Sequence, residues 1–143
     1  MNYAISEHVH RLSAWAASRA ASTAKGARFE VRKGKELLES IGLQFLVPSP
    51  DALPSPGNMD SVHRKWRTDI IGAAQNKYDL NITHGIAAKL INVYLKICFV
   101  NTAYFEHPSV AALHPPIDRE LLKGLIEIDI ENLGIEPIVL DAE

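Results

Sequence analysis

An all-α fold is what this 143-residue chain predicts. The expectation is a compact bundle of about five helices around a central apolar helix at 86–100, with an irregular acidic C-terminal tail. Three observations carry it. Apolar residues recur at spacings of three and four in several windows, as in Val62, Trp66, Ile70 and Ala74. Alternation of apolar and acidic residues, the mark of a half-buried strand, is confined to Ile126, Ile128 and Ile130. Helix-stopping signals at Lys25-Gly26, at Gly42 and in a Pro-rich run separate the periodic windows.

In chain order, Ser6 followed by Glu7 opens a helix that runs to about Ala24. Val9, Leu12, Ala16 and Ala20 fall on one stripe, with Trp15 nearby as a packing residue, and the many alanines allow close approach to a neighbour. A shorter helix covers Lys35–Ile41, with Gly42 as its stop. Residues 47–57 hold four of the eight prolines, so this run reads as a linker or surface loop. Asn58 or Asp60 caps a third helix reaching Lys77, with Arg64, Lys65 and Arg67 off its apolar stripe. Asp79–Gly85 is a tight connection into the most apolar segment, 86–100, whose single polar strip is Lys89, Asn92 and Lys96. After a loop with two His-Pro turns, a fifth helix is expected over Ile117–Leu125. The chain is expected to form a single domain, 1–143: N-terminal helices 1–47, a Pro-rich loop 48–57, a helical core 58–125 and an acidic tail 126–143.

Composition narrows the functional classes. Hydrophobic residues make up 47% and charged residues 22% of the chain, which is ordinary globular usage. A single cysteine excludes an internal disulfide, a Cys-based zinc site and a four-cysteine iron–sulfur cluster. Met1–Ala20 carries Glu7, Arg11 and Arg19, and no later run reaches the roughly 18 apolar residues of a spanning helix. A soluble, cytoplasmic protein with no membrane partner is therefore expected. The net charge of −2 hides an asymmetry, because six acids and no base lie beyond residue 126. The first 126 residues carry 15 basic against 11 acidic side chains, a net +4. A mildly basic body with an acidic tail is compatible with phosphate binding.

Two segments carry the sharpest chemistry: Gly85-Ile-Ala-Ala-Lys89-Leu-Ile-Asn92-Val-Tyr-Leu95 and His114-Pro-Pro-Ile-Asp118. A lysine on an apolar helix pays desolvation unless its amine meets water or a carboxylate. Asp118, at the start of the expected fifth helix, sits where the helix dipole favours a carboxylate. An amine and a carboxylate in one cleft suit attack on an electrophilic carbon. The first segment resembles the hairpin and following helix of the helix–hairpin–helix base-excision DNA glycosylases, with Gly85, Lys89, Asn92, Val93 and Leu95 on the pattern and Ala87 in place of its second glycine. Pro116, Ile117 and Asp118 resemble the superfamily's Pro-Val-Asp turn. The resemblance covers about a quarter of the chain. It implies Lys89 as the nucleophile that forms a Schiff base with the sugar, Asp118 as the catalytic aspartate, a flipped base, and DNA phosphates held by backbone N–H groups around Gly85 to Ala88. The pair Lys89-Leu-Ile-Asn-x-Tyr-Leu-Lys96 and His114-Pro-Pro-Ile-Asp118 also looks like blocks shared by bacterial proteins without an assigned role, which implies that the blocks act together.

Plainer roles stand beside these. Lys89, Asn92 and Lys96 also fit the solvent-facing line of an otherwise buried helix, and Asp118 also fits a helix cap. Arg64, Lys65, Arg67 and Lys96 are candidates to track a nucleic-acid backbone or to form a solvated face. His84 either caps its helix or points at a ligand, and His114 belongs to the second block. His63, near Trp66, reads as a hydrogen-bonded core histidine, and Cys98 as a buried thiol. His107 and His114, with Glu106 and Asp118, lack the spacing of a helical metal motif, so neither a metal nor another cofactor is expected. The functional expectation is a small DNA-associated protein resembling a reduced glycosylase/lyase. The alternative is a non-catalytic helical module that binds a protein partner, nucleic acid or a second copy of itself.

Overall fold

The structure, a computed structural model, describes residues 4–23, 26–47, 49–115 and 123–127. The fold is all-α, and no strand occurs among the described residues. Helix α1 spans Ile5–Ala21, α2 Val31–Ser40, α3 Met59–Tyr78, α4 His84–Leu95 and the short α5 Pro108–Ala111. A π-helical turn, Lys96–Val100, continues α4, so the central apolar segment ends in a widened turn. Among the described residues no helix is long and apolar enough to cross a membrane.

Helix α4 is the centre of the bundle. It packs against α1 over its length, and α2 and α3 close the remaining sides. Leu90, Ile91, Tyr94, Leu95 and Phe99 are all essentially inaccessible, as the near-continuous apolar run of 86–100 requires. Thr83 caps α4 by accepting the Ile86 N–H on its hydroxyl, and His84 is an exposed first residue that does not cap. Helix α2 begins one turn earlier than its apolar pattern indicates and is followed by Gly42 in the left-handed region, φ 77°.

The first stripe is corrected by one position. Leu12 is 50% and Trp15 54% exposed, while His10, Ser13, Ala14, Ala17, Ser18 and Ala21 face inward. Small residues let α1 approach α2 and α4 closely, and the bulky residues beside them are displaced to the rim. The Pro-rich run is not a free linker. Two 3₁₀ turns, Pro50–Ala52 and Pro56–Asn58, fold it back, and Pro50 and Leu53 are buried. The expected start of the fifth helix falls outside the described residues, as do Asp118 and tail residues 128–143. Residues 123–127 are helical.

A buried polar chain ties three helices. Tyr94 on α4 donates to His10 Nδ1 on α1 at 2.8 Å, and His10 Nε2 donates to Glu39 on α2 at 2.9 Å. Burial raises the Tyr94 hydroxyl far above its usual range. Burial also pushes the Glu39 carboxyl up, but hydrogen bonds from His10 and Lys35 outweigh it and hold the group below its ordinary value. Beside this chain Cys98 donates to the Ser13 hydroxyl, and burial pushes its thiol up to about 11, so it stays protonated near neutrality. Tyr78 on α3 donates to Glu36 on α2, closing the far side.

Candidate functional site

Three segments meet at a cleft of about 300 Å³: α3, α4 and the His114-Pro115 turn. From α4 come Gly85, Ala88, Lys89 and Asn92, whose spacing of three and four places them on one helix face. From α3 come His63 and Arg67, one turn apart. His114 and Pro115 complete the wall. The cleft thus takes a residue from each of the two sequence blocks, at Lys89 and His114.

Its polar network is built around Asn92. This residue is 7% exposed, which corrects the expectation of an even solvent-facing strip at Lys89, Asn92 and Lys96. The Asn92 Nδ2 donates to the Pro115 carbonyl at 3.2 Å, and His63 Nε2 donates to Asn92 Oδ1 at 2.7 Å. His63 is 1% exposed, meets Trp66 edge-on, and stacks on the His114 ring with centroids 4.2 Å apart. His114 Nε2 is in turn held by the Asp60 carboxylate at 2.7 Å. Burial drives the His63 pKa below its usual value; the hydrogen bond to Asn92 opposes this, the charges of His114 and Arg67 add to it, and Asp60 opposes it. The ring is therefore neutral at pH 7.

Two buried atoms in the cleft wall residues have no hydrogen-bond partner, His63 Nδ1 and Arg67 Nε. Lys89 is half-buried, and its amine makes no hydrogen bond or ion pair among the described residues. A neutral imidazole, a guanidinium and an ammonium thus share one cavity, a combination able to hold an anionic oxygen and exchange a proton with it.

The other candidates are distributed differently. Arg67 belongs to the cleft and is half-buried, which corrects its placement beside Arg64 and Lys65 on an outer face. Arg64 is exposed, and Lys65 is exposed and paired with Asp69. Lys96 lies outside the cleft, in a neighbouring groove of about 350 Å³ with Val100, Phe105, Val110 and Leu113, which shares the His114-Pro115 wall. Ala87 is fully buried, and its N–H bonds the Thr83 carbonyl within the helix, so it faces the core. Gly85 lies in the first turn of α4 rather than in the connection. Asp118, the partner expected for Lys89, lies outside the described residues.

His107 bonds Asp51 and His114 bonds Asp60, so the two histidines serve separate carboxylates. Among the described residues no group of three or more His, Cys, Asp or Glu side chains is placed to hold a metal. The sequence does not mark Asp60 and His63 as site residues, although spacings of three and four put them on one face of α3 with Arg67. Compared with protein-family models, curated proteins and solved structures, the chain matches none.

Proposed function

We propose that the chain is a DNA-associated protein that engages the phosphate backbone through the Lys89 cleft, in the manner of a reduced helix–hairpin–helix glycosylase/lyase. The observation that supports this reading is that Gly85, Lys89, Asn92 and His114 line one cavity with Arg67. Arg67 and Lys89 supply the cationic donors for phosphate oxygens. In the lyase step Lys89 first gives up a proton to water; its free amine then adds to the aldehyde carbon of an abasic sugar and water leaves, giving an imine. Asp118 enters this proposal as the carboxylate that assists the step. A cytoplasmic location belongs to the proposal as well.

Borohydride reduces such an imine to a stable secondary amine, so trapping is the direct test. Incubation with abasic DNA and borohydride is expected to give a covalent adduct from the wild type and none from Lys89→Ala. DNA retention is expected to weaken steeply with added salt. A wild type that gives no adduct but a salt-dependent shift has a binding role only.

A second reading has its own support. Val100, Tyr104 and Phe105 are exposed apolar residues clustered in sequence next to the neighbouring groove. They suit a non-catalytic module that docks a protein partner or a second copy. A DNA shift that is absent at all salt concentrations, with concentration-dependent self-association or partner capture lost in Phe105→Ser, favours that reading.

A further inference from the structure

The unpartnered atoms of the cleft differ in kind, and the difference selects a ligand. The Pro115 carbonyl can only accept a hydrogen bond, so the Asn92 amide nitrogen faces it and Asn92 Oδ1 faces His63. An amide oxygen also only accepts, so the hydrogen of the neutral His63 ring sits on Nε2. His63 Nδ1 is then left with a lone pair and no donor. Arg67 and Lys89 are donors only. The residues that line the cleft thus include two cationic donors and one neutral acceptor whose buried Nδ1 no protein group satisfies.

We propose that this cleft receives a phosphomonoester group, whose charged oxygens are taken by Arg67 and Lys89 and whose protonated oxygen is taken by His63 Nδ1. The inference rests on the phosphate-binding part of the reading above, and the group is presented either by the end of a nucleic-acid strand or by a small free phosphate. A monoester retains a proton close to neutrality, with a second pKa of about 6. A diester has lost its only proton far below that, and at pH 7 sets an oxyanion against the His63 lone pair.

One proton serves the contact, as P–O–H···Nδ1 or, after transfer, as Nδ1–H···O–P. Only an O–H bond exchanges for an N–H bond, and no further reactant is needed. Above pH 6 the free monoester is mainly a dianion and His63 is neutral, so binding takes up a proton. Affinity is therefore expected to fall as pH rises, by up to about tenfold per pH unit. His114, Asp60 and Arg67 are the charged or titratable groups that act on His63, and Lys89 lines the same cleft. His114→Gln, measured in parallel, separates the effect of the stacked His114 ring from the contact made by His63.

Calorimetric titration of the full chain tests the inference with three probes: inorganic phosphate, a single-stranded oligonucleotide with a terminal phosphate, and the same strand ending in hydroxyl. Inorganic phosphate or the phosphorylated strand is expected to bind at least tenfold more tightly than the hydroxyl strand, and Arg67→Met and Lys89→Met to lose at least tenfold. Imidazole nitrogen NMR of the wild type avoids relying on a His63 variant that fails to fold. It is expected to report the Nε2–H tautomer in the free protein and a displaced Nδ1 resonance on adding phosphate. Equal binding of the two strands overturns the monoester inference and leaves the DNA reading standing. Binding of inorganic phosphate alone supports the inference and removes the DNA reading. No binding of any phosphate-bearing probe, or an Nδ1 resonance that does not move, overturns it.

Discussion

Asn92 does two things at once: it orients His63 and ties the His114-Pro115 turn to α4. Removing its amide while keeping its bulk, as in Asn92→Leu, leaves the His63 Nε2–H buried without an acceptor. The expected cost is about 1–3 kcal/mol in urea denaturation. The same site shapes the pH response. The folded His63 pKa lies below the unfolded value of 6.5, so the unfolded chain binds more protons as pH drops. The associated stability is complete above pH 6.5 and is lost as pH falls through the folded pKa. Denaturation midpoints at pH 5.5 and 7.5 are expected to converge in His63→Gln relative to the wild type, provided that the variant folds. The sequence made His63 legible as a hydrogen-bonded core histidine. It did not reveal its partner, because Asn92 lies 29 residues away on another helix.

At the scale of elements, the contact between α1 and α2 depends on two small side chains. Gly34 on α2 lies so close to Ser18 on α1 that an added Cβ would overlap the Ser18 Oγ and Cβ. Gly34 costs helix propensity where it stands, and the close approach is the packing reason for it. Gly34→Ala is expected to destabilise by about 1–3 kcal/mol, by overpacking that outweighs the gain in propensity. Thermal denaturation should show partial recovery in Gly34→Ala/Ser18→Gly, where the obstructing atoms are absent. If the single substitution raises the melting temperature, the close approach is not what holds the helices in register. In α1, apolarity points one position away from the face that is buried. Leu12 and Trp15 advertise an apolar face, but the tight contact selects the face that carries Ser13, Ala14, Ala17 and Ser18. Hydrophobicity ranks the large residues first, whereas helix-to-helix distance ranks the small ones.

The whole bundle is pinned by the Tyr94–His10–Glu39 chain, which links α4, α1 and α2. Tyr94→Phe removes the donor to His10 Nδ1 and is expected to cost about 1–3 kcal/mol. Glu39 contributes to the acid limb of stability, as does Glu7, whose carboxyl the Arg11 hydrogen bond also holds low. The folded pKa of Glu39 lies below the ordinary value of 4.5, so its contribution is present above pH 4.5 and is lost as pH falls through the folded pKa. That loss sets in at a lower pH than the one belonging to His63, which begins at 6.5, and calorimetric melts from pH 3.5 to 7.5 should show both. Glu39→Gln should reduce the lower one and leave the upper.

By itself the sequence determined the all-α class, the helices centred on α3 and α4, the stop at Gly42 and the two blocks that carry Lys89 and His114. Those features follow from local rules: a period near 3.6 residues, the backbone freedom of glycine and the missing N–H of proline. Only the tertiary structure decided which face of α1 is buried, that Asn92 turns inward, and that Arg67 and His63 join Lys89 in one cleft while Lys96 and Ala87 do not. Those outcomes depend on distances between segments far apart in the chain. A helical period assigns residues to faces, but the neighbour that covers each face is set by three-dimensional packing.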